Sequence, residues 1–242
     1  MTDDHIIIVS NADKVYGKRQ VLSNVNLSIR KSEIFGLLGP SGAGKTTIVK
    51  LVAGIEKATA GEVTVMGVGM PKLDMMKKLG YMAQSDALYQ ELTAQENLEF
   101  LAGLYGLSGR RRKERIREMI ELVGLQDYLN TPVHHFSGGM KRRLSLAGAL
   151  LHHPYILILD EPTVGIDPVL RQSIWNKLED LCRNGTTIIL TTHVMDEAAK
   201  CHRLGMVREG KCIAAGTPET LMAYTKTSSI EEAFLVYGGE SK

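Results

Sequence analysis

At 242 residues, 44% apolar and 23% charged, the chain has an ordinary soluble composition and suits one large domain or a core with a subdomain. Its 29 basic and 27 acidic residues leave a net charge of +2, so bulk charge argues neither for nor against nucleic acid. No window approaches the roughly 18 to 20 apolar residues that span a bilayer, the start Met1-Thr2-Asp3-Asp4-His5 lacks a secretory signal's basic and apolar regions, and Cys182, Cys201 and Cys212 have no CxxC spacing. The expectation is a cytoplasmic chain with reduced structural thiols, whose membrane role, if any, needs a separate membrane protein.

In chain order, Ile6-Ile7-Ile8-Val9 predicts a short strand, and Val25, Leu27 and Ile29, alternating at period two, predict another, with Tyr16-Gly17 at a turn between them. Ile34 to Leu38 reads as a buried strand. It feeds Gly39-Pro40-Ser41-Gly42-Ala43-Gly44-Lys45-Thr46, which meets every fixed position of the phosphate-binding pattern GxxxxGK(S/T). Glycines let backbone N–H groups turn onto phosphate oxygens, Lys45 adds a point charge, and Thr46 offers a hydroxyl to Mg²⁺. A helix from Thr46 to Val52 points its N-terminus at the same anion. Gly61 to Val65 and Leu79 to Met82 then resume strand character.

From about residue 91 the pattern becomes helical: Leu98, Leu101, Leu104 and Tyr105 share one face, and Ile116, Met119, Ile120 and Val123 share another. Arg110 to Lys113 with Arg115 form a basic run. Glu114, Glu118 and Glu121 dilute it and favour a solvated helix face over a nucleic-acid patch. The pairs His134-His135 and His152-His153 lack i, i+4 ligand spacing, so no metal role is assigned to them.

Ser137-Gly138-Gly139 opens an amphipathic helix, and a serine hydroxyl with bare backbone at a positive helix end suits either a γ-phosphate or a plain cap. From Tyr155 the β/α alternation returns with an apolar strand ending in Asp160-Glu161. Asp160 would hold Mg²⁺ through water, and Glu161 would polarise an attacking water. A helix from about Val169 to Arg183, a strand over Thr187 to Leu190, a hairpin turn at Arg208 to Lys211 and a closing helix after Thr217-Pro218 follow. Strands separated by helices imply a largely parallel sheet.

The phosphate loop, Gln84 at a strand end, Phe136-Ser137-Gly138-Gly139-Met140, Leu157 to Glu161, Gly165-Ile166-Asp167 and His193 stand in the order of an ATP-binding-cassette (ABC) nucleotide-binding domain, which the chain resembles over nearly its whole length. The resemblance implies an α/β P-loop NTPase core with a mostly parallel sheet, residues 1–84 and 154–242. An N-terminal antiparallel β subdomain and an inserted α-helical subdomain, 85–153, would complete it. ATP and Mg²⁺ would be held by Tyr16 on the adenine, by Gly39, Pro40, Ser41, Gly42, Ala43, Gly44, Lys45, Thr46 and Thr47 at the phosphates, and by Thr46, Gln84 and Asp160 at the metal. Glu161 is implied as catalytic base, with His193 and Lys45 at the γ-phosphate. Ser137, Gly138, Gly139 and Met140 would act in trans, with Asp167 at the dimer interface.

Phe136 and Met140 depart from the family's usual LSGGQ, and Ala83 stands where proline often precedes the glutamine. Tyr16 also fits an ordinary surface aromatic. The lead-in to the loop, the Ser-Gly-Gly-Met form and Glu161 to Pro168 look most like ATPase subunits of ABC-2-type exporters. That resemblance implies a second nucleotide-binding domain, from a second copy or a related chain, and an integral membrane permease as partners, with no nucleic acid. The chain would then be peripheral on the inner face of the cell membrane. A soluble cassette acting on nucleic acid, the ribosome or cofactor assembly, and a non-hydrolysing ATP-gated module, are the alternatives.

Overall fold

The computed structural model describes residues 4–84 and 87–239. Contacts divide the chain into two compact units, Met1–Met76 with Thr187–Lys242, and Lys77–Thr186.

The first unit begins with β1 (His5–Tyr16) and β2 (Arg19–Arg30), an antiparallel hairpin turning at Gly17, φ 59°. Both strands run well past the short segments that alternation predicts. Asn11 and Asn24 each adopt φ 50°, their N–H groups are taken up by Asn26 Oδ1 and Asp13 Oδ1, and the register shifts there. Such bulges interrupt period two without ending the strand. Next come β3 (Ile34–Leu38), buried throughout, α1 (Lys45–Ala53), β4 (Ala60–Val65) and β5 (Val68–Gly69). The strand order β2-β1-β4-β5 makes an antiparallel sheet.

In the second unit, β6 (Leu79–Met82) precedes α2 (Ala94–Leu104), α3 (Gly109–Leu122), α4 (Gly138–Leu150), β7 (Ile156–Asp160) and α5 (Pro168–Arg183). β6 and β7 pair in parallel, Leu79 opposite Ile156 and Met82 opposite Leu159. The α2 start is fixed by a reciprocal capping box between Thr93 and Glu96. Leu98 is buried as expected, whereas Leu104 is exposed: it lies four residues past Phe100, also exposed, on the outer edge of the helix. On α3 the predicted face Ile116, Met119 and Ile120 is buried. The basic run is not one solvated face. Arg110 is exposed and pairs with Glu114 at 2.7 Å, but Arg115 is buried and donates to the carbonyls of Leu150 and Leu151, closing the α4 C-terminus. On α5, Ile174, Trp175, Leu178 and Cys182 form the inward stripe.

The chain returns to the first unit with β8 (Thr187–Thr192), α6 (Met195–Ala198), β9 (Arg203–Arg208), β10 (Lys211–Gly216), α7 (Pro218–Thr225) and α8 (Ile230–Tyr237). β3 lies between β8 and β9, parallel to both, and β10 closes the edge antiparallel to β9. The close fit of Gly36 shows how tightly this layer packs: a Cβ there would stand 2.8 Å from Cys201 Sγ. Burial pushes the Cys201 thiol far up, and none of the three cysteines is in a disulfide. No described helix is long and apolar enough to cross a membrane.

Candidate nucleotide site

The phosphate loop joins β3 to α1 in the first unit. Gly42 and Gly44 hold φ of 78° and 107°, values open chiefly to glycine, and Gly44 is the N-cap of α1. Gly39 is needed for space instead, since a Cβ would meet the Val207 carbonyl oxygen at 2.2 Å. The loop is fastened at its far side by Gly210 N–H donating to the Ala43 carbonyl at 2.9 Å. Lys45, 5% exposed, folds its ammonium back to donate to the carbonyls of Gly39 at 2.7 Å and Pro40 at 2.9 Å. Pro40, Ser41 and Gly42 are exposed, and Thr46 and Thr47 are half-buried on the first turn of α1. Positive-φ glycines, the positive N-terminal end of α1 and the Lys45 ammonium thus meet in one loop, the chemistry of an anion receptor.

Tyr16, at the end of β1, is 41% exposed. Lys14 Nζ stands 4.8 Å from the ring centroid, covering one face. Lys14 also pairs with Glu56 at 2.7 Å, and the Tyr16 hydroxyl hydrogen-bonds Glu56. Desolvation, then the Glu56 hydrogen bond and charge, push the phenol up to about 12, while the Lys14 hydrogen bond holds the Glu56 carboxyl below its usual range. The ring is therefore fixed, with a face opposite Lys14 that suits a base.

His193 is exposed immediately after β8. Its turn is organised by buried Thr192, whose hydroxyl donates to Glu197 at 2.7 Å and accepts from Val194 N–H at 2.9 Å.

In the second unit, β7 delivers the carboxylate of Asp160, 1% exposed, to its C-terminal end, next to half-buried Glu161. Burial, and secondarily the Asp160 charge, push the Tyr81 hydroxyl up to about 12. Glu161 holds φ 53°, a strained backbone of the kind found at functional sites. Gln84, past the end of β6, donates from Nε2 to Glu161 Oε2 at 3.5 Å, so these two expected residues are brought together. Thr46, Gln84 and Asp160 all offer hard oxygen donors, the chemistry Mg²⁺ takes. Among the described residues no group of three His, Cys, Asp or Glu gathers as a transition-metal site would need.

Ser137 is the N-cap of α4 and accepts from Met140 N–H at 3.2 Å, so its hydroxyl serves the helix. The two glycines after it differ. A Cβ on Gly138 would meet nothing within 4 Å, but one on Gly139 would stand 2.8 Å from the Gly165 carbonyl oxygen of the same chain. Phe136 is buried and packs edge-on against Tyr128, a core role. Asp167 caps α5 by accepting from Leu170 N–H at 3.0 Å, with Pro168 in the first turn.

Sequence reasoning missed Arg142. Its guanidinium donates to the main-chain carbonyls of Gln84, Asp160 and Glu161. It reads locally as one more basic residue in Lys141-Arg142-Arg143, and nothing in the spacing marks it.

Residues 22–164 match the ABC transporter family. The chain is 40% identical over 237 residues to the probable multidrug ABC transporter ATP-binding protein YbhF of Escherichia coli (strain K12), covering 95% of this chain and 41% of that protein, so it spans under half of that relative's length. It is 41% identical over 238 residues to the linearmycin resistance ATP-binding protein LnrL of Bacillus subtilis (strain 168), covering 93% of this chain and 76% of LnrL. A solved dimeric ATP-binding cassette, MJ0796, in a post-hydrolysis state bound to ADP and Pi, superposes with a TM-score of 0.82 at 29% identity, over 87% of this chain and 98% of that one.

Proposed function

Because the chain belongs to the ABC transporter family, as an ATP-binding cassette with that family's α/β P-loop NTPase fold, we propose that it binds and hydrolyses ATP as the ATPase subunit of an ABC-2-type exporter. The observation that carries this reading is the loop of positive-φ glycines that delivers Lys45 to the start of α1. The names of the multidrug protein YbhF and the linearmycin resistance protein LnrL favour export.

In this reading the loop from Gly39 to Thr47 and Lys45 hold the phosphates, and adenine stacks on the Tyr16 face opposite Lys14. Glu161 takes the proton of the attacking water, and His193 and Lys45 stabilise the charge that grows on the γ-phosphate. Thr46 and Gln84, with Asp160 through water, would hold Mg²⁺, which would supply charge neutralisation at the phosphate oxygens. Ser137, Gly138, Gly139 and Met140 complete the ATP site of a second copy, with Asp167 at the interface, in a twofold dimer. The dimeric state of MJ0796 with ADP and Pi supports this arrangement. The helical segment 85–153 would transmit closure to an integral membrane permease, placing the chain on the cytoplasmic face of the membrane.

The test is Glu161→Gln. Losing the base should lower phosphate release by about 10²–10⁴-fold, while size-exclusion chromatography with ATP shows a dimer; undiminished hydrolysis by this variant would sink the assignment. Co-purification with an integral membrane protein supports the exporter role, and salt-sensitive nucleic-acid binding without one contradicts it.

A further inference from the structure

Arg142 lies in the second turn of α4, the helix that begins at Gly138 after Ser137. Its Nε donates to the Glu161 carbonyl at 2.7 Å and its Nη1 to the Gln84 carbonyl at 3.0 Å, while Nη2 donates to the carbonyls of Asp160 and Glu161. One rigid, charged fork thus gathers main chain from the ends of β6 and β7. On the other side of Glu161, Gly139 approaches the Gly165 carbonyl so closely that a Cβ would stand 2.8 Å away. Two independent contacts therefore tie the start of α4 to the backbone on both sides of the φ 53° residue Glu161.

We propose that Arg142 is a positioning residue that locks the start of α4 to the main chain of Asp160 and Glu161, making the two one mechanical body. The inference rests on the reading of Glu161 as base and of Ser137 to Gly139 as acting on the partner's ATP. Docking of α4 on one ATP then sets the water-orienting carboxylate that serves the other, and the two sites turn over together. A lysine cannot replace the fork, because its ammonium is a point charge without the planar set of donors.

The experiment compares wild type, Arg142→Met and Arg142→Lys in steady-state ATPase assays and in hydrogen exchange of the isolated dimer-forming chain. Expected for Arg142→Met is a kcat lower by about tenfold, a displacement effect, with ATP KM within about twofold and a Hill coefficient falling towards one. Amides of Glu161 to Ile166 should exchange faster while those of Gly42 to Thr46 do not change. Arg142→Lys should retain only part of the kcat, and it decides the matter if the methionine variant does not fold. Unchanged kcat and Hill coefficient in a folded variant, or kcat and KM worsening together with exchange raised throughout, would overturn the proposal. If wild type hydrolyses no ATP, the functional reading fails on its own, and the exchange pattern still decides whether Arg142 holds this backbone.

Discussion

The phosphate loop and the acidic strand end are built on opposite principles. The loop takes its shape mostly from its own residues: Gly42 and Gly44 supply positive φ, and Lys45 bonds to carbonyls five and six positions before it, while Val207 walls in Gly39 and Gly210 fastens Ala43 from distant parts of the chain. The strand end is held from outside, by Arg142 reaching across 58, 18 and 19 positions to Gln84, Asp160 and Glu161, and by the approach of Gly139 to Gly165. A receptor for a fixed anion can be rigid and local. If Glu161 is the base proposed above, anchoring it through α4 lets it meet its water only when α4 is engaged.

That contrast can be broken at several points. Gly39→Ala should have the largest effect: its Cβ would sit 2.2 Å from the Val207 oxygen, and backbone cannot yield cheaply, so about 3 kcal/mol or more of stability should go, with fluorescent-nucleotide binding abolished. Retained binding at wild-type melting temperature would show that the loop is not sterically defined. Next, Gly139→Ala should cost about 1–3 kcal/mol in thermal or denaturant unfolding, whereas Gly138→Ala, with open space, should stay within about 0.5 kcal/mol and impair only assembly with ATP. Equal losses for both would erase the difference between the two glycines. The smallest effect is expected at Glu56→Gln, which weakens the hold on Tyr16 and should raise ATP KM about two- to fivefold with kcat unchanged, the signature of lost uniform binding. The same variant carries a pH test. The folded Glu56 carboxyl titrates below its usual value, so its contribution to stability is present above the ordinary carboxylate range and is lost as pH falls through the lowered value; the wild-type stability advantage over Glu56→Gln should shrink only on acidification.

The sequence makes the first of these regions legible because its rules are local. Glycine spacing, the lysine and the following helix all lie within one short stretch, and β3, β7 and β8 announce themselves by the apolar runs at residues 34–38, 156–159 and 188–190. What stays hidden is set by partners distant in the chain. Arg115 and Arg142 sit in basic helical stretches indistinguishable from solvated faces, and only the fold reveals that both donate to main-chain carbonyls distant in the chain. The full length of β1 and β2 is hidden for another reason: the bulges at Asn11 and Asn24 scramble alternation. Asp167 and Ser137, singled out for an interface, prove also to be ordinary helix caps, a use their residue types equally allow.

Lys45 carries one more consequence. Its ammonium already rests on the Gly39 and Pro40 carbonyls, so an arriving ligand does not recruit a wandering side chain but competes with carbonyl dipoles for a cation in place. A phosphoryl oxygen, bearing full charge, wins that exchange; a hydroxyl or a ribose does not. The loop therefore discriminates by displacement as well as by shape, and adenosine, however well it stacks, should gain almost nothing there.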